Sequence, residues 1–246
     1  ITLRQALAKS KNMVSIRLAQ WLTPNVVREW SEKFGFDPQR QPDNLTIALG
    51  AGATTPMQLA SAYAVFANGG YRIQPILVTR VVDAQGKLVF EAKPPALTEE
   101  VRAISARNAF LTSSLLQEVT RSGSGARAQA ALKRADLYGK TGTTNEVVDA
   151  WFAGFSPHLS TVVWMGYDAP RSLGSSASGS SLALPAWIDY MREALKGVPV
   201  RELAAPPDVM QQNGEWLYAS WQDGGWLRTL GIDDAAPQPN PAASAP

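Results

Sequence analysis

Lys140-Thr141-Gly142-Thr143-Thr144 is the stretch on which the reading of this chain turns. A Lys-Thr-Gly-Thr string arises by chance in about one chain in several hundred of this length. Ala135-Asp136-Leu137-Tyr138-Gly139 leads into it, and Asp149-Ala150-Trp151-Phe152-Ala153-Gly154-Phe155 follows with the alternating aromatic and small residues of a half-buried strand. Lys140 is therefore expected near one end of a strand. A phosphate-binding loop ending in Gly139-Lys140-Thr141 would need a glycine at position 134, where Arg134 stands, and a helix straight after the threonine. Thr143-Thr144-Asn145 instead runs toward a strand, which leaves no helix N-terminus to hold a phosphate. The plainer alternative is an edge strand carrying an exposed lysine.

Ser10-Lys11-Asn12 lies 130 positions earlier. A Ser-x-Asn occurs by chance about once in every one or two such chains, so Ser10 and Asn12 gain weight only by pairing with Lys140. The two strings are two of the three motifs of a serine acyl-transfer site. The third, Ser-x-x-Lys, supplies the nucleophile and its base, and it occurs nowhere in these residues.

Composition narrows the chemistry. Of 246 residues none is cysteine and one is histidine, which excludes a thiol nucleophile, a thiolate metal site and a His-rich metal site. A Ser-His-Asp triad would have to use His158, which sits in Ser156-Pro157-His158-Leu159-Ser160 and reads as a turn between strands. Lysine is left as the base for serine chemistry, provided burial or neighbouring positive charge lowers its pKa. Lysine and arginine number 23 against 21 acidic residues, and no basic stripe points to nucleic acid. The apolar fraction of 45% suffices for a core, and no apolar run approaches the roughly 18 residues of a membrane span. The chain opens on Ile1-Thr2-Leu3-Arg4-Gln5-Ala6-Leu7, already in helical spacing, and reads as a cut through a larger protein.

The spacing predicts helix over residues 2 to 22 with a polar break at Ser10-Lys11-Asn12. A second helix is capped by Thr23-Pro24 and closed by Gly35, and a third starts at Thr55-Pro56, packs Met57, Ala60, Ala64 and Ala67, and stops at Asn68-Gly69-Gly70. A hairpin is expected from residues 76 to 82 and 87 to 91. A helix follows from Ser105, ending at Ser122-Gly123-Ser124-Gly125, a linker or an anion cradle. Three antiparallel strands (135 to 143, 149 to 156, 160 to 168) and a helix from Leu184 to Lys196 come next. Trp216, Trp221 and Trp226 bracket Asp223-Gly224-Gly225 in an expected small hairpin, and the Pro/Ala tail reads as disordered.

Four strings carry a resemblance: Ser10-Lys11-Asn12-Met13-Val14-Ser15, residues 62 to 70 (Ala-Tyr-Ala-Val-Phe-Ala-Asn-Gly-Gly), Lys140 to Asn145, and Asp149-Ala150-Trp151-Phe152. Over residues 1 to 197 the chain resembles the transpeptidase domain of bifunctional class A penicillin-binding proteins. The resemblance implies an α+β fold of the penicillin-binding and β-lactamase type, a helical subdomain beside a five-stranded antiparallel sheet flanked by helices. Its N-terminal part, including two strands, is absent from these residues. Residues 1 to 197 would then be the C-terminal portion of the domain, 198 to 233 a small extension and 234 to 246 a disordered tail. The implied reaction is D,D-transpeptidation of peptidoglycan stem peptides at D-Ala-D-Ala, with β-lactam antibiotics as covalent inhibitors and no cofactor or metal. The family also carries an upstream glycosyltransferase domain and a membrane anchor on the periplasmic side of the inner membrane.

Carried over by resemblance, Ser10 relays a proton, Asn12 holds substrate amide groups, and Lys140 adds positive potential. Thr141 and Thr143 bond the terminal carboxylate, with Gly142 and Thr144 completing the substrate-binding run. The Thr143 N–H is one oxyanion-hole donor, of a kind worth about 3 kcal/mol in the transition state. A D,D-carboxypeptidase or β-lactamase-like hydrolase would use the same two motifs, and a binding module that lost its nucleophile would keep the carboxylate pocket. Without Ser-x-x-Lys these residues are expected to form no acyl-enzyme, and with an incomplete sheet they are expected to aggregate or to need the missing segment to fold.

Overall fold

The computed structural model describes residues 1–221. Helix α1 (Leu3–Ala8) starts on a capping box between Thr2 and Gln5. Ser10-Lys11 breaks the chain before helix α2 (Asn12–Leu22), as the polar triplet predicted. Helix α3 (Pro24–Glu32) has the expected proline in its first turn, but Thr23 sits at φ +71° and makes no side-chain cap. Its role as an N-cap is corrected: Pro24, with φ already fixed, starts the helix without it. Helix α4 (Pro56–Ala67) opens on a second capping box, Thr55 with Gln58. Its buried face is Ala62 and Val65, while Met57, read as core, is 59% exposed.

Two hairpins lie outside the main sheet. Strands β1 (Arg80–Val82) and β2 (Leu88–Glu91) are antiparallel around a turn in which the Asp83 carboxylate accepts from the Gln85 and Lys87 amides. Every residue of both strands is exposed, and pairing begins at Arg80, later than the apolar run from Ile76 suggested. Near the C-terminal end, β6 (Val209–Gln212) pairs with β7 (Glu215–Tyr218) around Asn213-Gly214, both at positive φ. The hairpin expected around Asp223-Gly224-Gly225 and the Pro/Ala tail lie outside the described residues.

Helix α5 (Ala106–Arg121), capped by Ser105, runs to the 122–125 loop, after which the short helix α6 (Arg127–Leu132) appears where the sequence reading had none. The main sheet follows as β3 (Tyr138–Thr143), β4 (Ala150–Ser156) and β5 (Leu159–Met165), antiparallel in the order β3-β4-β5. This sheet has three strands among the described residues, against the five that the resemblance implies for a whole domain. A π-type turn at Gly179–Ala183 then feeds helix α7 (Leu184–Ala194).

Strand alternation sorts the sheet into two faces. Phe152 points to α7, where it meets Trp187 edge-on at 4.9 Å within a buried cluster that also holds Leu137, Ile188 and Met191. The Trp187 indole N–H donates to Thr161 O at 3.0 Å, so the large ring leaves no polar atom orphaned. On the opposite face Phe155 stacks on Tyr138 at 4.8 Å and joins Leu116 of α5, with Tyr63 and Phe66 of α4 packed against them. The fully buried Asp136 is held in a two-pronged pair with Arg134 (3.0 and 2.8 Å) and accepts from Arg201 N at 2.9 Å, which ties the entry of β3 to the chain beyond α7.

Candidate active site

The register Lys140↔Ala153 puts the Lys140 side chain on the face shared with Phe155 and Tyr138, toward α4 and α1. Its Nζ donates to Ser10 Oγ at 2.8 Å and to Thr141 O at 3.0 Å. Two motifs 130 residues apart are therefore in direct contact. Burial lowers the Lys140 pKa from 10.5 to about 8, so the ammonium dominates at neutral pH while a neutral amine is within easy reach. No acid is paired with Lys140 among the described residues.

Ser10 reaches the lysine because of how α1 ends. Its amide donates to Leu7 O (3.0 Å) and the next amide, of Lys11, donates to Ala6 O (2.8 Å). This is the paired pattern that closes helices with a left-handed residue, usually glycine. Here Ser10 itself holds φ +51°. A side chain in that conformation costs on the order of 1 kcal/mol, and such costs gather at functional sites.

A cleft of about 530 Å³ opens beside Lys140, between β3 and residues 49–54, with Tyr63 of α4 and Trp151 of β4 in its wall. Burial raises the pKa of the Tyr63 phenol, which stays neutral. Gly142 lies over Trp151, whose Cβ would stand 3.2 Å from any Cβ added there. The Thr143 hydroxyl accepts from Gly179 N at 2.9 Å, which fastens the end of β3 to the turn before α7. That approach is so close that a Cβ on Gly179 would fall 2.4 Å from Trp151 O. Thr144 closes the β3–β4 turn: its hydroxyl accepts from Asp149 N at 2.8 Å, and its own amide donates to Asp149 O at 3.1 Å. The Asp149 carboxylate in turn accepts from the Trp164 indole at 2.8 Å.

Asn12 is placed differently. It is the exposed first residue of α2 and makes no side-chain hydrogen bond among the described residues. Ser10 and Lys140 are brought together, then, while Asn12 stands near in sequence without a bond to either. His158 sits in the β4–β5 turn with its amide on Ser156 Oγ, as a turn residue.

Sequence reasoning gave no role to three residues that the geometry places here. Tyr63 enters the sequence reading only inside the 62–70 string, and Trp151 only in the strand alternation and the Asp149–Phe152 string. Ser124, in the loop read as linker or anion cradle, has its hydroxyl 2.6 Å from Thr141 Oγ1 and its amide on Ala8 O at 2.9 Å. The signal for all three is tertiary. No group of His, Cys, Asp and Glu suited to a metal exists among the described residues, and no described helix is long and apolar enough to cross a membrane.

Comparison with known proteins fits this geometry. Residues 1–184 match the family described as penicillin binding protein transpeptidase domain. The chain is 43% identical over 243 residues to penicillin-binding protein 1A of Neisseria lactamica, covering 98% of this chain and 30% of that protein. Against penicillin-binding protein 1A of Pseudomonas aeruginosa it is 38% identical, over 85% of this chain and 31% of the relative. Among solved structures, penicillin-binding protein 1A of Haemophilus influenzae superposes with a TM-score of 0.80 at 34% identity, over 85% of this chain and 36% of that one. PonA1 of Mycobacterium tuberculosis in complex with penicillin V gives 0.67 at 27% identity, over 89% and 61%. This chain spans about a third of the length of the curated relatives it matches. With the fold, the Lys140–Ser10 contact and the family match agreeing, the chain belongs to the penicillin-binding protein transpeptidase family.

Proposed function

We propose that this chain carries the substrate side of a peptidoglycan D,D-transpeptidase site, acting on stem peptides that end in D-Ala-D-Ala and open to β-lactams. The observation that carries the reading is the 2.8 Å contact of Lys140 Nζ with Ser10 Oγ across 130 residues. A serine bonded to a lysine whose pKa lies near 8 is suited to pass a proton between a base and an amine that arrives or leaves. Lys140 also places positive potential beside Thr141 and Thr143, whose hydroxyls can donate to a terminal carboxylate. Asn12 would turn toward the substrate's amide groups, and Gly142 with Thr144 would keep the strand edge open for the peptide.

The nucleophile belongs to a Ser-x-x-Lys segment that these residues do not contain, so the isolated chain binds without being acylated. The working enzyme is a longer polypeptide acting on the periplasmic side of the inner membrane. In a polypeptide joining this chain to such a segment, Lys140→Ala is expected to cut labelling by a fluorescent penicillin by about a hundredfold or more with circular dichroism unchanged. Labelling at the parental rate defeats the assignment. A mass spectrum of the isolated chain after penicillin treatment should show no stoichiometric adduct; one on Ser10 would make that serine the nucleophile.

A further inference from the structure

Ser124 belongs to neither motif, yet it touches the second and the end of the helix that leads into the first. Its amide donates to Ala8 O at 2.9 Å, two residues before Ser10, and its hydroxyl lies 2.6 Å from Thr141 Oγ1. The loop reaches α1 because residue 123 is glycine: a Cβ there would stand 2.3 Å from Ala8 O. Strand β3 and the turn that presents Ser10 are in this way held to one loop.

The hydroxyl pair has a consequence for direction. A threonine hydroxyl has one proton, and a carboxylate offers only acceptors. When Thr141 donates to a carboxylate, the short contact with Ser124 is a hydrogen bond only if Ser124 is the donor. That second bond polarises the Thr141 O–H and keeps it aimed away from Ser124. We propose that Ser124 is a positioning residue that donates to Thr141 Oγ1 and so commits the Thr141 proton to the terminal carboxylate of the substrate. This rests on the reading of Lys140 and Thr141 as a carboxylate site, and it adds a specificity for the free acid over a neutral chain end.

The test uses the longer polypeptide, joined to a Ser-x-x-Lys segment whose serine is replaced by alanine, and two probes: an acetylated Lys-D-Ala-D-Ala peptide with a free carboxylate, and the same peptide as its C-terminal amide. Affinities are read by chemical-shift titration. Ser124→Ala should weaken binding of the acid about five- to tenfold, the scale of one hydrogen bond, leave the amide within twofold, and be rescued by Ser124→Thr. Equal loss on both probes, or no loss on either, overturns the proposal and leaves Ser124 as a brace of the loop alone. Lys140→Ala separates the two levels. If it abolishes the preference for the acid while Ser124→Ala does not, the carboxylate site stands and the role of Ser124 falls. If that polypeptide with Ser124 and Lys140 intact has no preference for the acid, both fall.

Discussion

The two faces of the β3-β4-β5 sheet are built from the same alternating strands and serve opposite ends. On the α7 face Phe152, Trp187 and Met191 are wholly buried, and the one large polar edge, the Trp187 indole, is satisfied by Thr161 O. On the other face the packing is complete only at the Tyr138–Phe155 end. Toward Lys140 and Trp151 it opens into the cleft, where a lysine loses part of its hydration and a serine holds a left-handed backbone. The closed face supplies rigidity that the open face draws on. Both sets of side chains hang from one backbone register, so a shift on one face would move Lys140 on the other.

The sharpest way to break this comparison is to remove one large ring from each face. Trp187→Ala is expected to cost about 3–5 kcal/mol, because a closed cavity replaces a ring that touches neighbours on every side. Trp151→Ala, at a half-buried position facing an existing cleft, is expected to cost less than half as much, since water already reaches the space. Urea midpoints of the two variants decide it. Equal losses would mean that the cleft face is packed as tightly as the α7 face.

How far the sequence led differs along the same divide. Period-two alternation placed β3, β4 and β5 within a few residues, and the pairing of the Ser10 and Lys140 motifs, with the relay that the resemblance implies, led to the Ser10 contact. Three features were beyond it. The six residues of α6 are too few for a periodic signal, and that helix is held by packing on α5 and α7. The β6–β7 hairpin turns at Asn213-Gly214, a dipeptide that favours such turns and that the sequence reading passes over, while the turn expected at Asp223-Gly224-Gly225 lies outside the described residues. The bond by which the Thr144 hydroxyl closes the β3–β4 turn on Asp149 likewise has no signal in the sequence.

A smaller effect sharpens the electrostatic half of the comparison. Burial lowers the Lys140 pKa from 10.5 to about 8. Below pH 8 the lysine is charged both folded and unfolded, and the folded state bears the full cost of the desolvated ammonium. Between pH 8 and 10.5 the unfolded chain binds more proton than the folded one, so stability rises with pH. Above that window the cost is gone. Relative to Lys140→Met, which has no such proton, the native chain should therefore gain stability from pH 8 to pH 10, by at most about 1.4 kcal/mol per pH unit. Paired urea titrations across that range measure it. A difference that stays flat, or falls, would place Lys140 in water and remove the distinction between the faces.

The smallest effect isolates the backbone of the site. Ser10 stands where glycine is usual, at φ +51°, and its side chain accepts from Lys140. Two substitutions separate these roles. Ser10→Ala keeps a Cβ in the left-handed conformation and loses the hydroxyl, whereas Ser10→Gly loses the hydroxyl and relieves the backbone. Gly is thus expected to exceed Ala in stability by about 1 kcal/mol. Against the native serine the glycine variant should come out nearly level, since the relief is of the same size as one lost hydrogen bond. Function moves otherwise: in the longer polypeptide both variants should lose penicillin labelling together, because neither has an oxygen to offer Lys140. If Ala and Gly prove equally stable, the turn does not hold Ser10 in the left-handed region. If Gly labels like the native protein, the contact with Lys140 is structural, and the open face of the sheet carries its chemistry elsewhere.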